Sequence, residues 1–209
     1  MVFKKLFITL LGSRNSSIEA MQAKNLPNHS DGLSDDQDEA DLGATRLQFE
    51  KAPDVSVARR AVVETCEDAD EIGAFDEVLE HARRFLLGHR WCTDIVESRI
   101  GMFVPRIVSV FLFRIDHTED FVDEWLWIVV GDVPPGYLVT DYAPNAAWAL
   151  HLYIGLAKEW VEAVKEGKPV VGLYPINVPP TLEWAEQLEG RLRFLEKEIL
   201  KDYMDDLVG

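Results

Sequence analysis

The chain has 209 residues, with 21 Lys and Arg against 37 Asp and Glu, a formal net charge of −16. Its 47% apolar and 10% aromatic content is that of a folded protein. The charge argues against a nucleic-acid partner, since phosphate contacts need clustered Lys and Arg. Two cysteines exclude a disulfide framework or a Cys-rich zinc site, and no stretch approaches the roughly 18 uninterrupted apolar residues of a membrane span.

Residues 1–45 carry 4 basic and 7 acidic groups, or −3, while residues 46–209 carry 17 and 30, or −13. The acidity therefore belongs mainly to the body. The opening MVFKKLFITLLG places Lys4 and Lys5 before a short apolar run, Leu6 to Leu11. This is the outline of a short N-terminal secretion signal, but no small-residue cleavage site follows promptly, so the expected location is cytoplasmic. The same twelve residues could touch a membrane surface as an arm, although the body's negative charge opposes anionic lipid, and stable insertion is not expected. Residues 13–44 are poor in large apolar side chains and rich in Asn, Ser, Gly and Asp. Such a segment cannot offset its ordering entropy. The expected organisation is a largely disordered N-terminal arm, 1–45, followed by a single α+β domain, 46–209.

Within that domain, Pro53 and Asp54 open an expected short helix through Glu64. Thr65 is a candidate cap for the next helix, with Asp68 three residues on. Ile72, Phe75, Leu79, Ala82 and Leu86 then share one helical face, acidic groups crowd the first turns, and Gly88 is the natural stop. The spacing predicts a helix near 66–87. The period then changes. Trp91–Met102, Ile107–Ile115, Glu124–Val130 and Gly136–Thr140 read as three to four strands of an antiparallel sheet. Asp116–Asp120 is the loop between the second and third. Trp125 and Trp127 face one side of their strand and Leu126 and Ile128 the other, so that strand is expected to be central and covered twice.

Asn145 caps a further helix with an apolar face at Leu150, Ile154, Ala157, Val161 and Val164, ended by Gly167. Pro169–Pro180 is a long connection. Thr181 caps a last helix whose seam is Ala185, Leu188, Leu192, Leu195 and Ile199, expected to pack on the sheet or on the preceding helix. Runs of one element type followed by runs of another define an α+β class: an N-terminal helix, an antiparallel sheet and two C-terminal helices.

The chemistry-bearing residues form no convergent set. Glu77 and His81 lie four apart on one helix face, without the Glu-x-x-His of a di-iron centre, and read as a solvated face. His117, Glu119 and Asp120 sit in one loop without the oxygen pattern of a calcium site. His89 and His151 stand alone. Cys66 and Cys92 form no CxxC. Cys92 follows His89 and Arg90, a neighbourhood in which the thiol pKa could fall, but a buried, inert free cysteine is the common case and the one expected. Gly167-Lys168 lacks the earlier glycine of a phosphate-binding loop. No catalytic residue, metal ligand or cofactor is assigned. Trp148 and Trp160 are expected in the core, while Trp184, just beyond Pro179-Pro180, is a candidate partner contact. Arg99, Trp127 and Asp132 join it as candidate binding residues because polar strand ends often line clefts. Asp132 is expected to accept hydrogen bonds from its own turn.

Three segments carry a resemblance. They are Glu97-Ser98-Arg99 with Phe103-Val104-Pro105, the run Trp127 to Pro134 (WIVVGDVP), and Asn145-Ala146-Ala147 with Ala149-Leu150-His151. In that order they resemble a family of small bacterial proteins known only as a domain of unknown function. In that family a strand ending Trp-x-x-x-Gly-Asp-Leu-Pro precedes a helix opening with Asn. Val133 stands where the family has Leu, and the likeness covers roughly 90–165. It implies a bacterial, cytoplasmic α+β domain and no particular activity.

The reading these residues favour is a non-enzymatic acidic protein-interaction domain, of the immunity or antitoxin type, with a basic protein partner drawn by charge. The alternative is a small enzyme or ligand-binding domain with a cleft at the strand ends.

Overall fold

A computed structural model describes residues 59–60, 69–120 and 122–207, all inside the unit from Glu50 to Gly209. The expectations for the arm 1–45, for Thr65 and for Cys66 lie outside the described residues. The described chain is α+β. In order it runs β1 (Arg59–Arg60), α1 (Ala69–Leu87), β2 (Cys92–Val104), β3 (Val108–His117), β4 (Trp125–Gly131), β5 (Val133–Val139), α2 (Ala146–Lys165), α3 (Leu182–Phe194) and α4 (Met204–Leu207). The sheet is an antiparallel meander in the order β1-β2-β3-β4-β5, four long strands with the two-residue β1 at one edge.

Two expectations on the strands are corrected. Arg59 and Arg60 fall within the helix expected over 53–64, yet they pair as strand with Ile100 and Arg99. The other residues of that expected helix lie outside the described residues. The loop expected over 116–120 is shorter, because β3 continues to His117, which pairs with Cys92. Beyond it the Thr118 amide donates to the Trp91 carbonyl at 3.0 Å, so the ladder continues past the apolar run that marks the strand in sequence.

Side chains of β2, β3 and β4 show how the sheet is covered on both faces. On one face Phe75 of α1 meets Phe103 and Phe111 edge-on, with ring centroids 5.2 and 5.9 Å apart. On the other, Trp127 donates its indole N–H to the Ala143 carbonyl at 2.7 Å. Gly101 leaves room there for Ala146 and the Trp127 ring to approach the strand. Leu126, Trp127 and Ile128 are all buried, as a central strand between two helical layers requires.

The helix caps follow the sequence. The Asn145 carboxamide oxygen accepts from the Trp148 amide at 2.9 Å, and the same side chain donates to the Asp206 carbonyl at 2.9 Å. One residue therefore caps α2 and holds the α4 segment. At the other end of α2, Lys168 N–H donates to Ala163 O and Gly167 N–H to Val164 O, with Gly167 at φ +67°. This paired closure needs a left-handed residue, which glycine provides. Thr181 caps α3 through the Trp184 amide.

The last helix packs on α2. Lys158 pairs with Glu196 at 2.6 Å and Lys165 with Glu189 at 3.0 Å. Its expected unbroken seam is interrupted, because α3 widens into a π turn over Leu195–Ile199 and tightens into a 3-10 turn over Leu200–Tyr203. The inserted width rotates the buried face by about one position. Leu195 and Leu200 are buried, while Ile199 is half-buried. The connection 169–180 closes over β5, where the Tyr174 hydroxyl donates to the Tyr137 carbonyl at 3.0 Å.

Candidate functional site: two clefts at the β4–β5 corner

The corner begins with Gly131, whose φ is +141°. A Cβ there would lie 2.3 Å from the Ile107 carbonyl oxygen, so only glycine lets β4 pass this close to the β2–β3 turn. The next amide, Asp132 N–H, donates to that same Ile107 oxygen at 2.9 Å. The backbone of Gly131-Asp132 is thereby fixed, and the Asp132 side chain projects from a rigid corner. The expectation that its carboxylate serves its own turn is corrected. One carboxylate oxygen instead lies 2.9 Å from Nε of Arg191 on α3.

Around this ion pair lies a cleft of about 290 Å³, lined by Val133, Pro134, Val178, Trp184 and Leu188 together with Gly131, Asp132 and Arg191. Trp184, Leu188 and Arg191 occur at i, i+4 and i+7 of α3, one helix face. Trp184 remains 41% exposed. The structure thus brings together two of the four sequence candidates, Asp132 and Trp184. Arg191 and Leu188 were missed. The signal that could have found them is their helical spacing from Trp184.

The other two candidates lie elsewhere. Trp127 is mid-strand and 1% exposed. Arg99 pairs with Glu97 at 2.8 Å, and its guanidinium carbon sits 5.4 Å from the centre of the Trp125 ring. Neither lines the cleft. Trp160 is buried and Trp148 half-buried, edge-on to His151 at 5.6 Å.

A second, larger cleft of about 800 Å³ shares Gly131 and Asp132 but runs along α1, with Glu77, His81 and Arg84 on one side and the β2–β3 turn on the other. Glu77 and His81 thus line a cleft. The turn is Val104-Pro105-Arg106-Ile107, closed by Ile107 N–H to Val104 O at 3.1 Å. Arg106 has φ +61°. Proline second and a left-handed third residue is the type II arrangement, whose third position ordinarily takes Gly or Asn. An arginine there costs roughly 1 kcal/mol. Ser109, 2% exposed, also borders this cleft.

The expectation of a buried, inert cysteine holds for Cys92. Cys92 is 6% exposed. Removal from water pushes its thiol up from 9.0 to about 11, and the Asp94 carboxylate adds to the rise. His89 turns its Nδ1 to the end of α1 instead, 3.0 and 3.2 Å from the Phe85 and Leu86 carbonyls. Among the described residues no three His, Cys, Asp or Glu side chains converge as a metal centre, and no helix is long and apolar enough to cross a membrane.

Fold and corner together define an α+β protein with helices on both faces of an antiparallel meander and two clefts meeting at one strand exit. No protein-family model, curated protein or solved structure matches the chain.

Proposed function

We propose that this chain is a non-enzymatic, acidic protein-interaction domain of the immunity or antitoxin type. Its basic partner docks at the cleft between the β4–β5 corner and α3. The observation that carries this reading is Trp184, exposed at the rim of a mostly apolar cleft whose charged lining residues, among the described residues, are the paired Asp132 and Arg191. Exposed tryptophan beside a pocket is the residue type that contributes most at protein interfaces. Glu183 and Glu186 are exposed on α3 on either side of Trp184 and give its rim a negative field. That field speeds encounter with a basic surface and repels acidic ones.

The test replaces Trp184 with a photo-crosslinking residue in cells that make the protein, with Val171, 92% exposed, as the control position. The expected result is a discrete adduct at 184, absent at 171. Its partner is basic, and its yield falls as salt rises from about 0.1 M to about 1 M. The same adducts at both positions, or a yield indifferent to salt, overturn the reading.

The larger cleft along α1 supports a second reading, a ligand-binding domain with its cleft at the strand ends.

A further inference from the structure

We infer that the cleft between the β4–β5 corner and α3 takes one large apolar side chain of the partner, flanked in the partner by basic residues. The inference rests on the docking reading of that cleft and names what the partner must present to it.

Size comes first. The cleft holds about 290 Å³, whereas small-molecule sites begin near roughly 300 Å³. That is room for a side chain rather than for a whole ligand. Its walls are Val133 and Pro134 from the corner, Val178 from the connection, and Trp184 and Leu188 from α3. A polar group entering between such walls gives up water, while an apolar one gains by leaving it.

The two charges in the lining do not change this. Asp132 and Arg191 lie 2.9 Å apart. A cation brought to Asp132 also meets Arg191, and an anion brought to Arg191 also meets Asp132. With both signs at one place, neither incoming charge gains enough attraction to offset its own desolvation. The cleft itself therefore selects an apolar group.

The outer face of α3 selects the charge around it. Glu183 and Glu186 are exposed and three residues apart, on one helix face. Neither is ion-paired among the described residues, although the chain forms ion pairs at other places. Glu183 accepts from the neutral Gln187 at 3.4 Å. The two arginines of α3 are engaged elsewhere, Arg191 with Asp132 and Arg193 with Glu189. The negative field beside Trp184 is thus uncompensated, and lysine or arginine next to the apolar side chain meets it as that side chain seats. An aromatic at the edge of a dry pocket, with charge at the rim, is the build of an interface centre.

The test uses the full chain labelled with fluorotryptophan. Fluorine NMR follows the Trp184 signal, assigned by its absence in Trp184→Phe. The probes are three end-capped pentapeptides: Lys-Lys-Phe-Lys-Lys, Lys-Lys-Ala-Lys-Lys and Glu-Glu-Phe-Glu-Glu. A saturable shift is expected with the first, and at least tenfold weaker affinity for the other two. Val178→Asp, which puts a charge in the cleft wall, should erase the preference for phenylalanine over alanine. Glu183→Gln combined with Glu186→Gln should shrink the preference for lysine over glutamate. Equal affinity for the phenylalanine and alanine peptides overturns the apolar anchor. Equal affinity for the lysine and glutamate peptides overturns the basic flanks. No shift from any peptide, while the crosslink at 184 forms, overturns the anchor and leaves the docking reading standing. Loss of the crosslink as well overturns both.

Discussion

The carboxylate of Asp132 lies 2.9 Å from Nε of Arg191 and joins the exit of the central strand to the final long helix. Both side chains reach solvent, with 63% of Asp132 and 38% of Arg191 exposed. Water and salt therefore screen the pair, and exposed pairs contribute about 0–1 kcal/mol. Asp132→Asn and Arg191→Gln should each lower unfolding free energy by less than about 1 kcal/mol. Their double-mutant coupling should be of the same size and shrink in high salt. Urea titrations of the four proteins measure it. A coupling several-fold larger would mean that the pair supports the fold rather than furnishing a docking rim.

Asn145 makes two bonds with one side chain, and they can be separated. Asn145→Asp keeps an oxygen for the Trp148 amide but loses the donor to Asp206. Asn145→Ala loses both. The alanine variant should cost about 1 kcal/mol, the ordinary value of a cap. Both variants should speed amide exchange over Met204–Leu207. If exchange there is unchanged in Asn145→Asp, the carboxamide does not hold α4.

The contrast between these two sites shows what sequence reasoning reaches. Asn145, Thr181 and Gly167 act on backbone groups three or four residues away, so local order contains their roles. The strands from Cys92 to Val139 are legible for the same reason: β-branched and aromatic runs fix the period, and short polar breaks fix the meander. Arg191 is different. Its partner, Asp132, is brought near only by α3 packing across α2, which no local pattern records. Arg106 is different again, since nothing in Val-Pro-Arg-Ile announces a left-handed arginine where glycine is the rule. Cys92 follows the common case of a buried free cysteine: His89 and Arg90 are near it in sequence, but burial and Asp94 set its environment in space.

Two tryptophans should respond to very different degrees to the same change. Trp127→Phe removes the indole donor and leaves the Ala143 carbonyl, on a fully buried residue, without its 2.7 Å partner. An unpaired buried polar group costs about 1–3 kcal/mol, and the smaller ring adds a void. A loss of about 2–4 kcal/mol is expected in denaturant titrations. Trp184→Phe should stay within about 0.5 kcal/mol, as for a surface position. If Trp184→Phe is the more destabilising variant, its exposed ring is a structural element and not a free contact.

The alkaline limb of stability should carry the signature of Cys92. Its thiol ionises near 9.0 in the ordinary state and near 11 in the fold, because burial first and the Asp94 carboxylate second oppose the thiolate. Between those values the folded protein holds a proton that the unfolded chain has released. Stability from this source is therefore complete below pH 9 and is lost as the pH rises through about 11. The hydroxyls of Tyr153 and Tyr174, raised by burial from 10.0, act in the same direction above it. Urea midpoints at pH 8, 9, 10 and 11 should fall in the native protein. In Cys92→Ala they should fall less between 9 and 11, with the tyrosine share retained. Alkylation supplies an independent readout. At pH 8 the native Cys92 peptide, resolved by mass from that of Cys66, should react with iodoacetamide on the order of 100-fold more slowly than in urea, following its thiolate fraction. Equal falls in both proteins, together with rapid native alkylation, would place Cys92 in contact with solvent and restore it as a candidate nucleophile.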